Sequence, residues 1–202
     1  MLAMAKRAFD LLAAAIGLVL LAPLMLALSL WIKLDSQGPV LFRQQRVGRF
    51  GALFRIHKFR TMVTDAPALG GAITVGADPR ITRAGRALRA TKLDELPQLF
   101  DVLAGTMSVV GPRPEVPRFV ALWPAALRDK VLSVRPGITD RASIEFRNEG
   151  ALLAAAADPE REYAEVVLPT KLRLAAEYVD RASLGYDLGL IARTLGALIF
   201  KR

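Results

Sequence analysis

The segment Leu11-Leu-Ala-Ala-Ala-Ile-Gly-Leu-Val-Leu-Leu-Ala-Pro-Leu-Met-Leu-Ala-Leu-Ser-Leu-Trp-Ile32 decides the architecture, because its only polar side chain before the tryptophan is Ser29. Coiled as a helix at about 1.5 Å per residue it reaches roughly 33 Å, enough to cross a hydrocarbon core. A secretory signal peptide has a shorter apolar core, and Trp31-Ile-Lys33 reads as an interfacial anchor rather than a cleavage site. Lys6 and Arg7 precede the segment, and Lys33 and a basic region follow it. The positive-inside preference therefore draws both ends to the same side. Pro23, near the middle, removes one backbone hydrogen bond where no water replaces it. An ordinary span is the alternative. The flanks favour a re-entrant helix bent at Pro23, anchored by Lys6, Arg7 and Pro23. Asp10 lies one turn beyond Arg7, a spacing that suits an interfacial pair.

Beyond the anchor the chain is basic as well as apolar. Its 202 residues are 53% hydrophobic and carry a formal charge of +9. A pI near 10.5 with a mean hydropathy of +0.33 suits a protein seated on an anionic membrane surface. The length allows residues 1–34 as a membrane helix and 35–202 as one catalytic-sized domain. With no cysteine, disulfides and thiolate metal sites are excluded. The single histidine, His57, lies among Arg55, Lys58 and Arg60 and reads as a strand or surface residue. Val40–Phe42 and Leu53–Phe59 read as two strands around the Gly48-Arg-Phe-Gly51 turn. Residues 66–77 read as a loop. Asp158-Pro-Glu160 is a helix start, and Pro169 is expected to interrupt that helix. Leu184, Leu188, Ile191, Leu195 and Leu198 recur at helical intervals ahead of a basic end, a pattern for core packing or for a helix lying in the bilayer interface. The fold class is α+β, predominantly helical with a small β-hairpin.

The chemistry concentrates in Thr91-Lys-Leu-Asp-Glu-Leu-Pro-Gln98. It places adjacent carboxylates, Asp94 and Glu95, after a stretch from Arg43 to Lys92 with eleven Lys or Arg against two acids. Carboxylates beside so much positive charge suggest a site for a larger anion. Thr-x-x-Asp is also a helix N-terminal box, with Pro97 in the first turn. The readings are compatible, since a helix N-terminus both lowers a carboxylate pKa and attracts phosphate. Arg83, Arg86, Arg89 and Lys92 recur every three residues, as a membrane-facing stripe or as a feed to Asp94. In Val110-Gly-Pro-Arg-Pro114 the flanking prolines stiffen the backbone of Arg113, whose planar fork suits phosphate oxygens.

With these segments in order, the chain resembles the bacterial sugar transferases, the monotopic phosphoglycosyl transferases that use a polyprenol phosphate acceptor. The resemblance runs through Gly38-Pro-Val-Leu-Phe-Arg-Gln-Gln-Arg-Val-Gly48, Lys58-Phe-Arg-Thr-Met62, Asp78-Pro-Arg-Ile-Thr82, Leu93-Asp-Glu-Leu-Pro-Gln98, Met107-Ser-Val-Val-Gly-Pro-Arg-Pro114 and Arg135-Pro-Gly-Ile-Thr139. It is similar to the small PglC-like type. The resemblance implies a re-entrant helix on the cytoplasmic face of the bacterial inner membrane. It also implies a ping-pong reaction that opens glycoconjugate or polysaccharide synthesis. In that reaction Asp94 attacks the β-phosphate of a UDP-sugar and releases UMP. Polyprenol (undecaprenyl) phosphate then takes the sugar phosphate from the aspartyl intermediate. Mg2+ is the implied metal, with Asp94 and Glu95 as its ligands; Glu95 holds it or positions the acceptor phosphate. Arg113 and Arg60 are assigned to phosphate binding, and Lys58, Arg80 and Gln98 as supporting residues. Two departures stand out. Ala22-Pro23 replaces the Ser-Pro often found at the kink, and Thr139-Asp-Arg-Ala-Ser-Ile-Glu-Phe-Arg-Asn-Glu149 replaces a Gly-then-Trp-Gln-Val-Asn run, which suggests a subgroup with another donor sugar.

Two other classes remain open to the sequence. One is a non-catalytic, membrane-anchored basic module that binds anionic lipid or nucleic acid. The aromatics are not interleaved with the arginines as stacking platforms, so nucleic acid is not expected as a partner. The other is a two-carboxylate phosphohydrolase with no dependence on a lipid acceptor. Self-association is allowed by either.

Overall fold

A computed structural model describes residues 2–69, 74, 76 and 78–199. Helix α1 (Leu2–Asp35) is followed by strands β1 (Leu41–Val47) and β2 (Leu53–Phe59) and a short turn of helix, α2 (Ala66–Leu69). Next come α3 (Arg83–Thr91), a single 3-10 turn (Leu93–Glu95), α4 (Gln98–Ala104) and β3 (Ser108–Val110). Helices α5 (Pro117–Val120) and α6 (Ala125–Val131) lead to β4 (Gly137–Thr139). The rest is helical: α7 (Arg141–Glu145), α8 (Glu149–Ala154), α9 (Pro159–Glu162), α10 (Leu168–Arg181) and α11 (Leu184–Ile199). The expected mostly helical fold with a small hairpin is what forms.

Helix α1 runs unbroken through Pro23. Its inward positions are Asp10, Ala14, Gly17, Leu21, Met25, Leu28, Ile32 and Asp35, steps of three and four that trace one face. That face lies along the domain. Ala14 packs with Ile56, Val102 and Met107, Gly17 meets Leu99, and Leu28 and Ile32 pack on Ala84 and Leu88 of α3. Burying Leu28 and Ile32 stabilises the contact by about 1.5–3 kcal/mol each. The opposite face leaves Leu12, Ile16, Val19, Leu20, Leu26, Leu30 and Leu34 exposed. Helical backbone thus continues through the expected bend at Pro23. Both of its ends return to the same side because both pack on the same domain.

The N-terminal end is fastened by charge. Lys6 Nζ lies 2.9 Å from Asp10 and 2.8 Å from Asp187 of α11, and both acids are 2% exposed. Ser108 Oγ and the Val109 N–H also donate to Asp10, and the Tyr178 hydroxyl donates to Asp187. Arg7 is not the partner of Asp10. It donates to the carbonyls of Val102 and Leu103, where a cation complements the C-terminal end of α4. At the other end of α1, Asp35 accepts from the N–H of Ala84.

β1 pairs antiparallel with β2 in register Gln44↔Ile56. The first strand runs five residues beyond the expected Phe42, because the polar Arg43–Arg46 stretch stays paired. β3 and β4 form a second, parallel pair that three-residue strands hide from any periodicity. It needs close backbones: a Cβ on Gly137 would lie 2.0 Å from the N of Gly111. Asp158 caps α9 through the N–H groups of Glu160 and Arg161. The break expected at Pro169 is absorbed by a π turn over Tyr163–Val167, leaving the proline in the first turn of α10. On α11 the buried positions are Asp187 and Leu190, whereas Leu188 and Leu195 are 53% exposed. Much of the loop over 66–77 and the basic end after Ile199 lie outside the described residues.

Lys6 bridges two buried carboxylates at once. Lys6→Met is expected to lower stability by about 3 kcal/mol, read as a lower unfolding temperature in detergent. Adding Asp10→Asn and Asp187→Asn should recover part of that loss. An unchanged midpoint in Lys6→Met would mean that the lock holds nothing.

Candidate active site

Helix α3 ends before the octapeptide does its work. Thr91 is its last residue, with its hydroxyl turned back to the carbonyls of Ala87 and Leu88, so it caps no following helix. Lys92 then takes a left-handed conformation, φ 58°. This reverses the chain and sets Leu93–Glu95 into the 3-10 turn. The capping-box expectation is therefore corrected: Asp94 is buried at 8% exposure and one of its oxygens, Oδ1, has no partner.

Its neighbour is in the opposite condition. Glu95 receives Lys58 Nζ at 2.8 Å and both η nitrogens of Arg113, at 2.5 and 3.2 Å. Those two cations hold the Glu95 carboxyl well below the usual range despite its burial. Burial pushes the Asp94 carboxyl up, opposed by Lys58, Arg89 and Lys92 and reinforced by the charge of Glu95. Adjacent carboxylates in unlike environments take unlike roles. Glu95 is held and ionised; Asp94 is open.

The supporting elements explain the placement. Lys58 projects from β2, beside His57, whose backbone N–H and ring Nδ1 are both held by Asp101 of α4. Arg113 is fixed at the backbone, because its N–H donates to Asp140, which also caps α7. From the hairpin, Arg46 reaches the carbonyl of Pro114 and the carboxylate of Glu115, while the N–H of Val47 donates to the Glu115 carbonyl. The prolines, Asp140 and β1 together hold one guanidinium in one direction.

Of the residues singled out in the sequence, Asp94, Glu95, Lys58 and Arg113 come together. Gln98 is 1% exposed at the start of α4, and its Nε2 has no partner. Arg60 does not join them. Its guanidinium is spent on Ser36 and on the carbonyls of Pro39 and Met62, tying the end of α1 to β2. Arg80 forks onto Asp78, with another nitrogen on the Ala66 carbonyl. Both were expected at phosphate and instead brace loops. The basic row divides too: Arg83 and Arg86 are exposed, while Arg89 turns inward toward Asp94. Thr61 accepts from Arg89 Nε at 2.9 Å. Thr61 and Asp140 were missed, because a hydroxyl and a capping acid carry no charge pattern. Space matters here as well, since a Cβ on Gly85 would lie 2.0 Å from the Thr61 carbonyl oxygen.

A hard divalent cation fits one part of this arrangement. Asp94 Oδ1 is an unpartnered carboxylate oxygen, and Mg2+ is often held by one or two carboxylates together with substrate phosphates. Glu95 could serve only by giving up Lys58 or Arg113. Among the described residues no three acidic or histidine side chains cluster as a metal cage.

Comparison with known proteins places this geometry. The family model described as "Bacterial sugar transferase" matches residues 1–201. An undecaprenyl-phosphate glucose phosphotransferase of Komagataeibacter xylinus is 42% identical over 98% of the chain and 36% of that protein. A UDP-N-acetylgalactosamine-undecaprenyl-phosphate N-acetylgalactosaminephosphotransferase of Aeromonas hydrophila is 38% identical over 96% of the chain and 43% of that protein. A UDP-glucose:undecaprenyl-phosphate glucose-1-phosphate transferase of Caulobacter vibrioides is 39% identical, covering 96% of the chain and 69% of its own length. The chain thus spans less than half of the first two.

The electrostatics can be read directly by carboxyl 13C NMR. Asp94 is expected to titrate above the ordinary aspartate value of about 3.9, and Glu95 below the ordinary glutamate value of about 4.3. Lys58→Met should move Asp94 further up, because it removes the largest opposing charge. A downward move would show that Lys58 is not acting on Asp94.

Proposed function

The chain belongs to the bacterial sugar transferase family, and from that membership we propose that it transfers a sugar 1-phosphate from a UDP-sugar to undecaprenyl or a related polyprenyl phosphate. The observation that carries the reading is the open oxygen of Asp94 beside a fully committed Glu95. Nucleophilic catalysis by a carboxylate needs one that no close cation has already neutralised. Asp94 meets that condition.

In the proposed first step Oδ1 of Asp94 forms a bond to the β-phosphorus. The bond from that phosphorus to the bridging oxygen breaks, and UMP leaves with the electron pair. An oxygen of the acceptor phosphate then attacks the same phosphorus. The acyl phosphate bond breaks, Asp94 regains its carboxylate, and the sugar leaves as a polyprenyl diphosphate. Splitting the transfer in two lets a soluble donor and a lipid acceptor use one site in turn. An anion attacking an anion needs compensation, and Lys58, Arg89 and Arg113 supply fixed positive charge around the reacting phosphates. Mg2+, held by Asp94 and the diphosphate, would further neutralise the leaving group. Glu95 keeps Lys58 and Arg113 in place between turnovers.

The membrane seat belongs to the same proposal. Residues 1–34 lie in the cytoplasmic leaflet of the bacterial inner membrane, with the exposed face of α1 in lipid and residues 35–202 on its surface. Supporting this, α1 is apolar enough to cross a membrane yet packs on the domain along its inner face. A helix tied in this way cannot cross the bilayer without drawing the domain after it. Exposed Leu188 and Leu195 on α11 suit the same interface.

The test is turnover of UDP-glucose and UDP-N-acetylgalactosamine with undecaprenyl phosphate and Mg2+ in detergent. UMP should appear with a lipid-linked diphosphate sugar, and Asp94→Asn should slow both by at least about a thousandfold. Chelation should stop turnover if the metal assignment holds. UMP release over many turnovers with no lipid acceptor would favour the phosphohydrolase, and release of UDP would refute the phosphotransfer.

A further inference from the structure

A cavity of about 240 Å3, apart from the Asp94–Glu95 pair, lies between the first turns of α1, the Val134–Arg135 segment and the start of α11. Neither Asp94 nor Glu95 lines it. Its charged lining comprises four cations, Lys6, Arg7, Arg49 and Arg135, and two acids, Asp10 and Asp187. The acids share one ammonium, Lys6, within 3 Å of each, and the four cations leave the lining a net charge of +2. Among the described residues none of the three arginines makes an ion pair with a carboxylate. Arg7 donates to Val102 and Leu103, Arg49 Nε to the Ser133 carbonyl at 2.8 Å, and Arg135 Nε to the Gly105 carbonyl at 2.8 Å.

Backbone carbonyls fix the direction of a guanidinium without cancelling its charge. In Arg49 and Arg135 the held nitrogen is Nε, and the paired η nitrogens have no partner among the described residues. Each therefore presents an oriented, charged fork, the donor geometry that matches phosphate oxygens. Arg49 is further steadied over the ring of Phe50, 4.4 Å from its centroid. Phe50 is 74% exposed, next in sequence to an arginine that lines the cavity. An aromatic body beside cations is the composition of a membrane interface. The cavity is smaller than a typical pocket for a drug-sized ligand and suits a compact headgroup.

We propose that this cavity is a phosphate-binding site separate from the dyad, filled in the membrane-bound protein by the headgroup of an anionic phospholipid. Its occupant does not react. It bridges α1, the Arg135 segment and α11 at the level where the chain meets lipid.

The experiment titrates the full chain in detergent, by native mass spectrometry, with short-chain phosphatidylglycerol, short-chain phosphatidylcholine and inorganic phosphate in turn. Phosphatidylglycerol should bind once per chain and about tenfold more tightly than phosphatidylcholine. The double variant R49Q/R135Q should lose at least about tenfold in that affinity, and Asp94→Asn should lose none. Inorganic phosphate competing with the same dependence on Arg49 and Arg135 would support the site and assign it to phosphate from either source. Equal binding of the two lipids, or an unchanged affinity in R49Q/R135Q, would overturn the proposal. Should the double variant lose its helical circular dichroism, R49K/R135K keeps the charges and removes the forks. Affinity intermediate between wild type and no binding then supports the site, and wild-type affinity refutes it.

Discussion

One carboxylate bridged by two cations organises the centre of this protein. Glu95 ties β2, through Lys58, to the stiff Pro112-Arg113-Pro114 segment, and it does so from a single 3-10 turn. Taking three charged groups out of water is costly unless they satisfy one another, and here the fork and the ammonium together occupy both carboxylate oxygens. The arrangement leaves the adjacent Asp94 as the acid with a vacant oxygen. Packing, not propensity, decides which of two neighbouring acids is held by cations and which is left without a close partner.

The same economy of placement governs α1. A stripe at steps of three and four makes it the longest packing element of the domain, and the remaining surface is almost wholly apolar. Polar groups appear on it where they can be satisfied: Lys6 and Asp10 at one end, Asp35 at the other, and Ser29 donating to the Met25 carbonyl between. Because the ends are fastened to α11 and α3, the depth of the helix and the position of the dyad are mechanically linked.

Much of this was legible in the residues. The apolar segment, the hairpin, the Asp158 cap and the Asp94-Glu95 pair each carry a local signal of period, turn chemistry or charge. For Arg60 and Arg80 the sequence counts cations without showing what holds them; Ser36, Pro39 and Asp78 do so at close range. The packing of both halves of α1 was hidden for a related reason, since the domain that holds them comes from residues far along the chain. The β3–β4 pair has only three residues per strand, too few to show a period, and its existence depends on two glycines meeting. Thr61 and Asp140 act through one hydrogen bond each to an arginine side chain or backbone, a role that no composition reveals.

The central claim is that Asp94, and not Glu95, is the nucleophile. The most direct measurement is the mass of the protein after incubation with a UDP-sugar and Mg2+ in the absence of lipid acceptor, with the modified peptide then sequenced. The account predicts one sugar-phosphate per chain on Asp94, released UMP in equal amount, and loss of the adduct when undecaprenyl phosphate is added. An adduct on Glu95, or lipid-linked product formed without any adduct at Asp94, would contradict it.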